Sequence, residues 1–172
     1  QVLARLQSDG LIITRHGAGS FVTNIKTQEL VNVYELRIHL AELIGRLNPI
    51  PAEEGDIEEW EDFLKEIDRF ENDPSRMGYA KLVMNFHQLI SKKTGNEMLR
   101  KIDDQLFYLT SRMWVSYSEP SDWSADIRSI RFNSNQIIQS LKIGDTTGIS
   151  LAYRNAIIVG KSQILEHPAS GD

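Results

Sequence analysis

From residue 27 to residue 165, apolar side chains recur at three- and four-residue intervals, the spacing that gathers them on one face of an α-helix. Loop-forming clusters cut this pattern into pieces. The first piece, 27–47, stops before Pro49 and Pro51. An acidic piece lies within 53–73, with Ile57, Trp60, Phe63, Leu64, Ile67 and Phe70 at helical spacing, and breaks at Asn72-Asp73-Pro74. Further helices are predicted over 76–93, 97–117, 123–142 and 146–165. Thr94-Gly95-Asn96, Ser118-Glu119-Pro120 and Ile143-Gly144-Asp145 separate them. About six helices of these lengths, joined by short loops, predict an all-α antiparallel bundle.

The beginning of the chain breaks the pattern. Residues 1–8 carry Val2, Leu3 and Leu6, which fits the last turns of a helix ended near Asp9-Gly10. The stretch GLIITRHGAGSFV then predicts two short strands around a glycine turn. A two-stranded hairpin is not stable alone and needs a helical partner.

Composition narrows the class. Of 172 residues, 41% are hydrophobic, enough for a real core in one ordinary domain. There is no cysteine, which removes disulfide and thiolate chemistry. No signal peptide and no membrane-length apolar run is present, so the expectation is a soluble, cytoplasmic protein without membrane association. The net charge of −5 is unevenly spread. Residues 53–73 hold 11 acidic side chains against Lys65 and Arg69, and the remainder carries 17 bases and 13 acids. The acidic segment reads as a helix with a solvated acidic face, the alternative being an acidic interaction surface.

A helix running directly into a glycine-turned hairpin is how a winged helix-turn-helix ends. LARLQSDGLIITRHGAGSFVTN resembles the end of the DNA-binding domain of GntR-superfamily transcription regulators, with Gly17 and Gly19 matching the Gly-x-Gly wing tip. YELRIHLAELIG, FHQLISKKTGNEML and NQIIQSLKIGD are similar to segments of the all-helical effector-binding (FCD) domain in the FadR-like branch. Together these motifs cover nearly the whole chain. The resemblance divides it into a remnant of the winged helix-turn-helix, 1–25, and a helical effector-binding and dimerisation domain, 26–172. It implies a ligand-responsive, homodimeric regulator, with Arg15, His16, Gly17, Gly19 and Ser20 as wing contacts to DNA. The alternative for the hairpin is mere packing on the bundle. The chain begins inside what would be the recognition helix, so DNA binding is expected of the full-length protein and not of this fragment alone.

Many FadR-like effector domains hold a divalent metal through one aspartate and three histidines, and the same resemblance places those positions here. His87 matches the first histidine. The aspartate position, one helical turn earlier, is Val83, and the other two histidine positions fall at Asn135 and Asn155. One strong ligand of four is left, so no tightly bound transition metal and no other cofactor is expected.

Periodicity adds its own candidates. Arg37 shares a helix face with Leu30, Val33, Tyr34, Ala41 and Ile44. A buried arginine there needs an anionic partner, either a protein carboxylate or a ligand carboxylate or phosphate. His87 edges the apolar stripe of Tyr79, Leu82, Val83, Phe86 and Ile90, as a satisfied core residue or as a site residue. Asn135 and Asn155 lie among apolar neighbours and require hydrogen-bond partners. If the family fold holds, Arg37, His87, Asn135 and Asn155 converge on one pocket, with Tyr108 and Arg112 lining it. Such a set suits a small organic acid, and the family's metal-free acyl-CoA sensing widens the candidates. Leu36, Leu40, Leu43 and Leu47 form a second stripe on the first helix, consistent with a homodimer. No nucleophile–base spacing, Glu-x-x-His pair or phosphate-cradling glycine loop is present, so an enzyme is not expected. A helical protein-interaction module without a ligand is the alternative to a sensor.

Overall fold

A computed structural model describes residues 7, 12–15, 19–22, 27–117 and 123–166, with side chains at 7, 28–111 and 123–163. Near the beginning, β1 (Ile12–Arg15) and β2 (Gly19–Val22) pair antiparallel, with Ile12 opposite Val22 and Arg15 opposite Gly19. The predicted wing-tip residues His16 and Gly17 and the first-helix residues 1–6 lie outside the described residues. Arg15, Gly19 and Ser20 are described as strand backbone only.

Six helices follow among the described residues. They are α1 (Thr27–Ile44), α2 (Asp56–Asn72), α3 (Arg76–Ser91), α4 (Glu97–Tyr117), α5 (Trp123–Ile143) and α6 (Thr146–Glu166). Their boundaries have local causes. Ser75 caps α3, its hydroxyl accepting from the Gly78 N–H at 3.1 Å, and Asn96 does the same at α4 through the Leu99 N–H at 3.0 Å. Asp145 caps α6 from the Gly148 N–H at 2.9 Å. Acidic Asp56, Glu58 and Glu59 open α2, and Arg69 closes it, matching the helix dipole at both ends. α1 stops at Ile44, three residues short of the predicted end. Beyond it Gly45 lies so close to the start of α6 that a Cβ there would stand 2.4 Å from the Thr146 carbonyl oxygen. The chain then leaves through Asn48 at φ 54°, ahead of Pro49.

Packing follows a closed ring. α1 packs on α4, α4 on α3, α3 on α2, α2 on α5, α5 on α6, and α6 back on α1. The acidic helix α2 turns Trp60, Phe63, Ile67 and Phe70 inward and its carboxylates outward, as its pattern predicts. Trp60 meets Phe63 and Phe86 edge-on, and Tyr79 stacks on Trp123 with centroids 5.0 Å apart. No helix among the described residues is long and apolar enough to cross a membrane.

Candidate functional site

The centre of the ring is polar. Arg37 on α1 is 5% exposed, on the apolar face where periodicity places it. Its Nη1 donates to the Thr110 hydroxyl on α4 at 2.7 Å, and its Nη2 to the Tyr153 hydroxyl on α6 at 3.2 Å. Its guanidinium lies over the rings of Tyr34 and Phe107, 5.4 and 5.3 Å from their centroids. Both hydrogen-bond partners are neutral hydroxyls, and Nε has no partner among the described residues. The carboxylate nearest in function is Asp103 on α4, which meets Arg37 through Tyr153. The Tyr153 oxygen donates to Asp103 Oδ2 at 3.2 Å while accepting from Arg37.

His87 on α3 completes the cluster and is 1% exposed. Its Nδ1 is 2.9 Å from the Tyr153 oxygen and its Nε2 is 2.7 Å from Asp104 Oδ1, which also accepts from the Ser91 hydroxyl at 3.2 Å. Phe107 stacks on the imidazole at 3.8 Å. The Tyr153 hydroxyl has one proton, which Asp103 Oδ2 and His87 Nδ1 compete to accept, while Nε2–H donates to Asp104.

Burial sets the charges. Desolvation pushes the Asp103 carboxyl up, against the pull of Arg37 and His87. Desolvation and Asp103 push the Tyr153 phenol far up, so it stays a neutral donor. At Asp104, desolvation is the largest single influence, but His87, the Ser91 hydroxyl and Arg100 together outweigh it, and the carboxyl is lowered. Asp126 on α5 is fully buried, and desolvation raises its carboxyl to about 6, although the Tyr79 hydroxyl donates to it at 2.6 Å.

Beside this cluster lies a cavity of about 60 Å³, between α1, α3, α4, α5 and α6. Arg37, His87 and Asp126 line it together with apolar side chains such as Val83, Phe86 and Ile157. By volume it admits on the order of five water-sized spheres.

The sequence candidates fare unequally. Arg37 and His87 come together, joined through Tyr153. Asn135 and Asn155 do not join them. Both are exposed, Asn135 donating to its own helix at the Arg131 carbonyl (2.9 Å) and Asn155 lying against Arg154. The inward positions of those helices are the neighbours Ser134 and Ala156, because a one-residue step turns a helix by about 100°. Tyr108 stands at the outer edge of His87, with centroids 6.2 Å apart, and is 38% exposed, so it does not line the cavity. The Arg112 side chain lies outside the described residues. Sequence reasoning missed Asp103, Thr110, Asp126 and Tyr153. The first two were signalled by polar residues on the apolar face of Leu99 and Phe107. Tyr153 counted as an apolar residue, which hid its hydroxyl.

The donor set does not suit the metal that the resemblance implies. Val83 has no donor atom, and both nitrogens of His87 are taken by Tyr153 and Asp104. Among the described residues no three His, Asp or Glu side chains are grouped to hold an ion.

The architecture is thus an all-α bundle closed around a buried cluster of arginine, histidine and carboxylates with a small cavity at its side. Residues 32–155 match the FCD domain family, and the chain belongs to it. No curated protein sequence matches the chain. Among solved structures, it is similar to Lar, which controls the expression of the agr system of Listeria monocytogenes and mediates virulence. That match has a TM-score of 0.62 at 15% identity, over 95% of this chain and 77% of the other. A GntR-family transcriptional regulator from Pseudomonas syringae pv. tomato gives a TM-score of 0.59 at 14% identity, over 95% of this chain and 67% of the other. The Streptococcus agalactiae GntR protein gives 0.50 at 16% identity, over 93% and 78%. At these identities the likeness establishes a shared fold.

Proposed function

We propose that the chain is the effector-sensing part of a GntR-type transcription regulator, that it acts as a homodimer, and that its effector is a short carboxylic acid bound at Arg37 without a metal. The single observation that carries the effector reading is the guanidinium itself. It lines the cavity and is buried, and among the described residues its hydrogen bonds go only to neutral hydroxyls while Nε–H has no hydrogen-bond partner. A buried cation so placed gains more from an incoming carboxylate than from any hydroxyl, because charge-assisted hydrogen bonds are roughly twice as strong as neutral ones. The cavity's volume favours an acid of a handful of non-hydrogen atoms over an acyl-CoA. The wing, with Arg15, His16, Gly17, Gly19 and Ser20, is assigned to DNA in the full-length regulator. Membership of the FCD family supports the regulator assignment and argues against an enzyme.

Thermal denaturation against a panel of short carboxylates tests this. An acid at about 100 times its dissociation constant adds about 2.7 kcal/mol, a midpoint rise of about 5–11 °C for a domain of this size. The rise disappears in Arg37→Met. It also disappears in Ala156→Leu, which fills the cavity wall while leaving Arg37 in place. Stabilisation that persists in both variants refutes the site, and the absence of any stabilising acid refutes the effector reading.

A further inference from the structure

α5 carries two large apolar side chains in solvent, Phe132 at 61% and Ile143 at 78% exposure. Eleven residues separate them, three turns of helix, so both stand on one face about 16 Å apart. Gln136 and Gln139, also exposed, complete a stripe at spacings of four, three and four residues, the spacing of a seam that receives a second helix. No charged side chain interrupts the stripe, and exposed Arg128 and Lys142 flank its two ends.

The stripe fits itself. A two-fold axis between Gln136 and Gln139 sets two α5 helices antiparallel, with Phe132 on the partner's Ile143 and Ile143 on the partner's Phe132. Each Gln136 amide then faces the partner's Gln139. Amides both donate and accept, and polar groups at seam positions fix the register at some cost in strength. Charge selects the direction. Antiparallel packing takes Arg128 to the carboxyl end of the partner's α5, where the helix dipole is negative and Asp145 is exposed. It also sets Lys142 beside the partner's Arg131. That arginine pairs with the α2 carboxylates Asp68 and Glu71 at 2.8 and 2.6 Å, which leave the spot net negative. Parallel packing would instead set Arg128 on Arg128 and Lys142 on Lys142.

We infer that α5 is a second self-pairing surface, whose partner is another copy of this chain held antiparallel. The α1 stripe lies elsewhere on the ring, with α6 between α1 and α5, so one chain can use both faces and two homodimers can be joined. One helix face per chain makes an interface of the small class, under about 1,200 Å², so the pairing is a weak, concentration-dependent step. It is independent of the effector reading.

The chain has no cysteine, so introduced thiols report the pairing cleanly. Under mild oxidation, Phe132→Cys/Ile143→Cys is expected to form linked chains at about ten-fold the yield of either single variant. Antiparallel pairing sets each site against the other site of the partner and leaves like sites about 16 Å apart, beyond disulfide reach. The linkage persists when Leu36→Glu is added. In light scattering the wild-type mass doubles with rising concentration, and Phe132→Glu loses the doubling. A single variant that links as well as the double means a different register and overturns the inference. Linkage lost with Leu36→Glu belongs to the α1 dimer and overturns it as well. Absence of linkage, or a mass curve that Phe132→Glu leaves unchanged, overturns it too and leaves the face to a different protein. All the substituted side chains are exposed, so the variants keep the fold.

Discussion

Replacing Arg37 by methionine is the perturbation whose outcome the structure fixes most tightly. Methionine keeps much of the aliphatic stem, so the loss is mainly that of the guanidinium, including its place over the Tyr34 and Phe107 rings. Two hydrogen bonds from a charged donor disappear, to Thr110 at 2.7 Å and to Tyr153 at 3.2 Å. Such bonds are worth about 1.5–3 kcal/mol each. Part of that returns, because Thr110 still donates to the α4 carbonyls of Leu106 and Phe107. Asp103 in turn loses the positive charge that offsets its burial, and its Oδ1 already has no hydrogen-bond partner among the described residues. The expected cost is about 4 kcal/mol, in the range for removing one member of a buried charge cluster. For a chain of this size it lowers the thermal midpoint by about 8–16 °C. The second variant is the sharper test. Asp103→Asn in the Arg37→Met background removes the stranded carboxylate, so the double variant is expected to recover about 2 kcal/mol, seen as a coupling energy in a denaturant-based double-mutant cycle. A coupling within about 0.5 kcal/mol of zero would show that Tyr153 does not link the two charges, and the account of the cluster would fail.

Three further outcomes follow from other parts of the fold. Asp126 has its folded pKa raised to about 6 from 3.8, so its contribution is fully present below pH 3.8 and is lost as pH rises through 6. The stability of wild type minus that of Asp126→Asn is therefore expected to fall by about 2 kcal/mol between pH 4 and pH 7, and a flat difference would refute the assignment. Gly45→Ala places a methyl group 2.4 Å from the Thr146 carbonyl oxygen and 2.8 Å from the Ser150 hydroxyl, so the urea midpoint should drop by the equivalent of about 1–3 kcal/mol with an unchanged slope. Leu36 and Leu47 stay 49% and 42% exposed on the outer stripe of α1, so under the proposed homodimer Leu36→Glu should halve the mass measured by light scattering, whereas an unaltered dimer mass would move the interface elsewhere.

The helices were legible because their causes are local. Serine and asparagine caps, glycine turns and three-four spacing are written in adjacent residues, and α4 appears with the bounds its pattern predicts. Arg37 was legible for the same reason, as a charge on an apolar face. The rest of the site was not, because it depends on which residue of one helix faces which residue of another. Loose motifs fix a helix but leave its register uncertain by one residue, and one residue is the difference between exposed Asn135 and buried Ser134, or between exposed Asn155 and Ala156 on the cavity wall. Asp126 could not be linked to Arg37 at all, since 89 residues and four loops separate them in sequence.

α1 is where a bound acid could reach the rest of a regulator. Consecutive residues Leu36 and Arg37 stand about 100° apart around α1, one exposed on the outer stripe and one buried on the cavity. The ion pairs from α1 to α6, Glu35 with Lys161 and Glu42 with Arg154, sit at the surface, where such pairs are worth little. The position of α1 is therefore set by its inner face, from Leu30 through Tyr34 and Arg37 to Ala41 and Ile44, and by the close seat of Gly45 on α6. A ligand shifts an equilibrium only by its differential affinity for the two states, and a ten-fold shift requires 1.4 kcal/mol. One charge-assisted hydrogen bond to the Nε of Arg37, which has no hydrogen-bond partner among the described residues, made in one position of α1 and lost in another, is of that size. The proposed sensor thus needs no large rearrangement of its core. A small displacement of one helix, referred to the exposed leucines it carries, is enough to couple the cavity to the dimer.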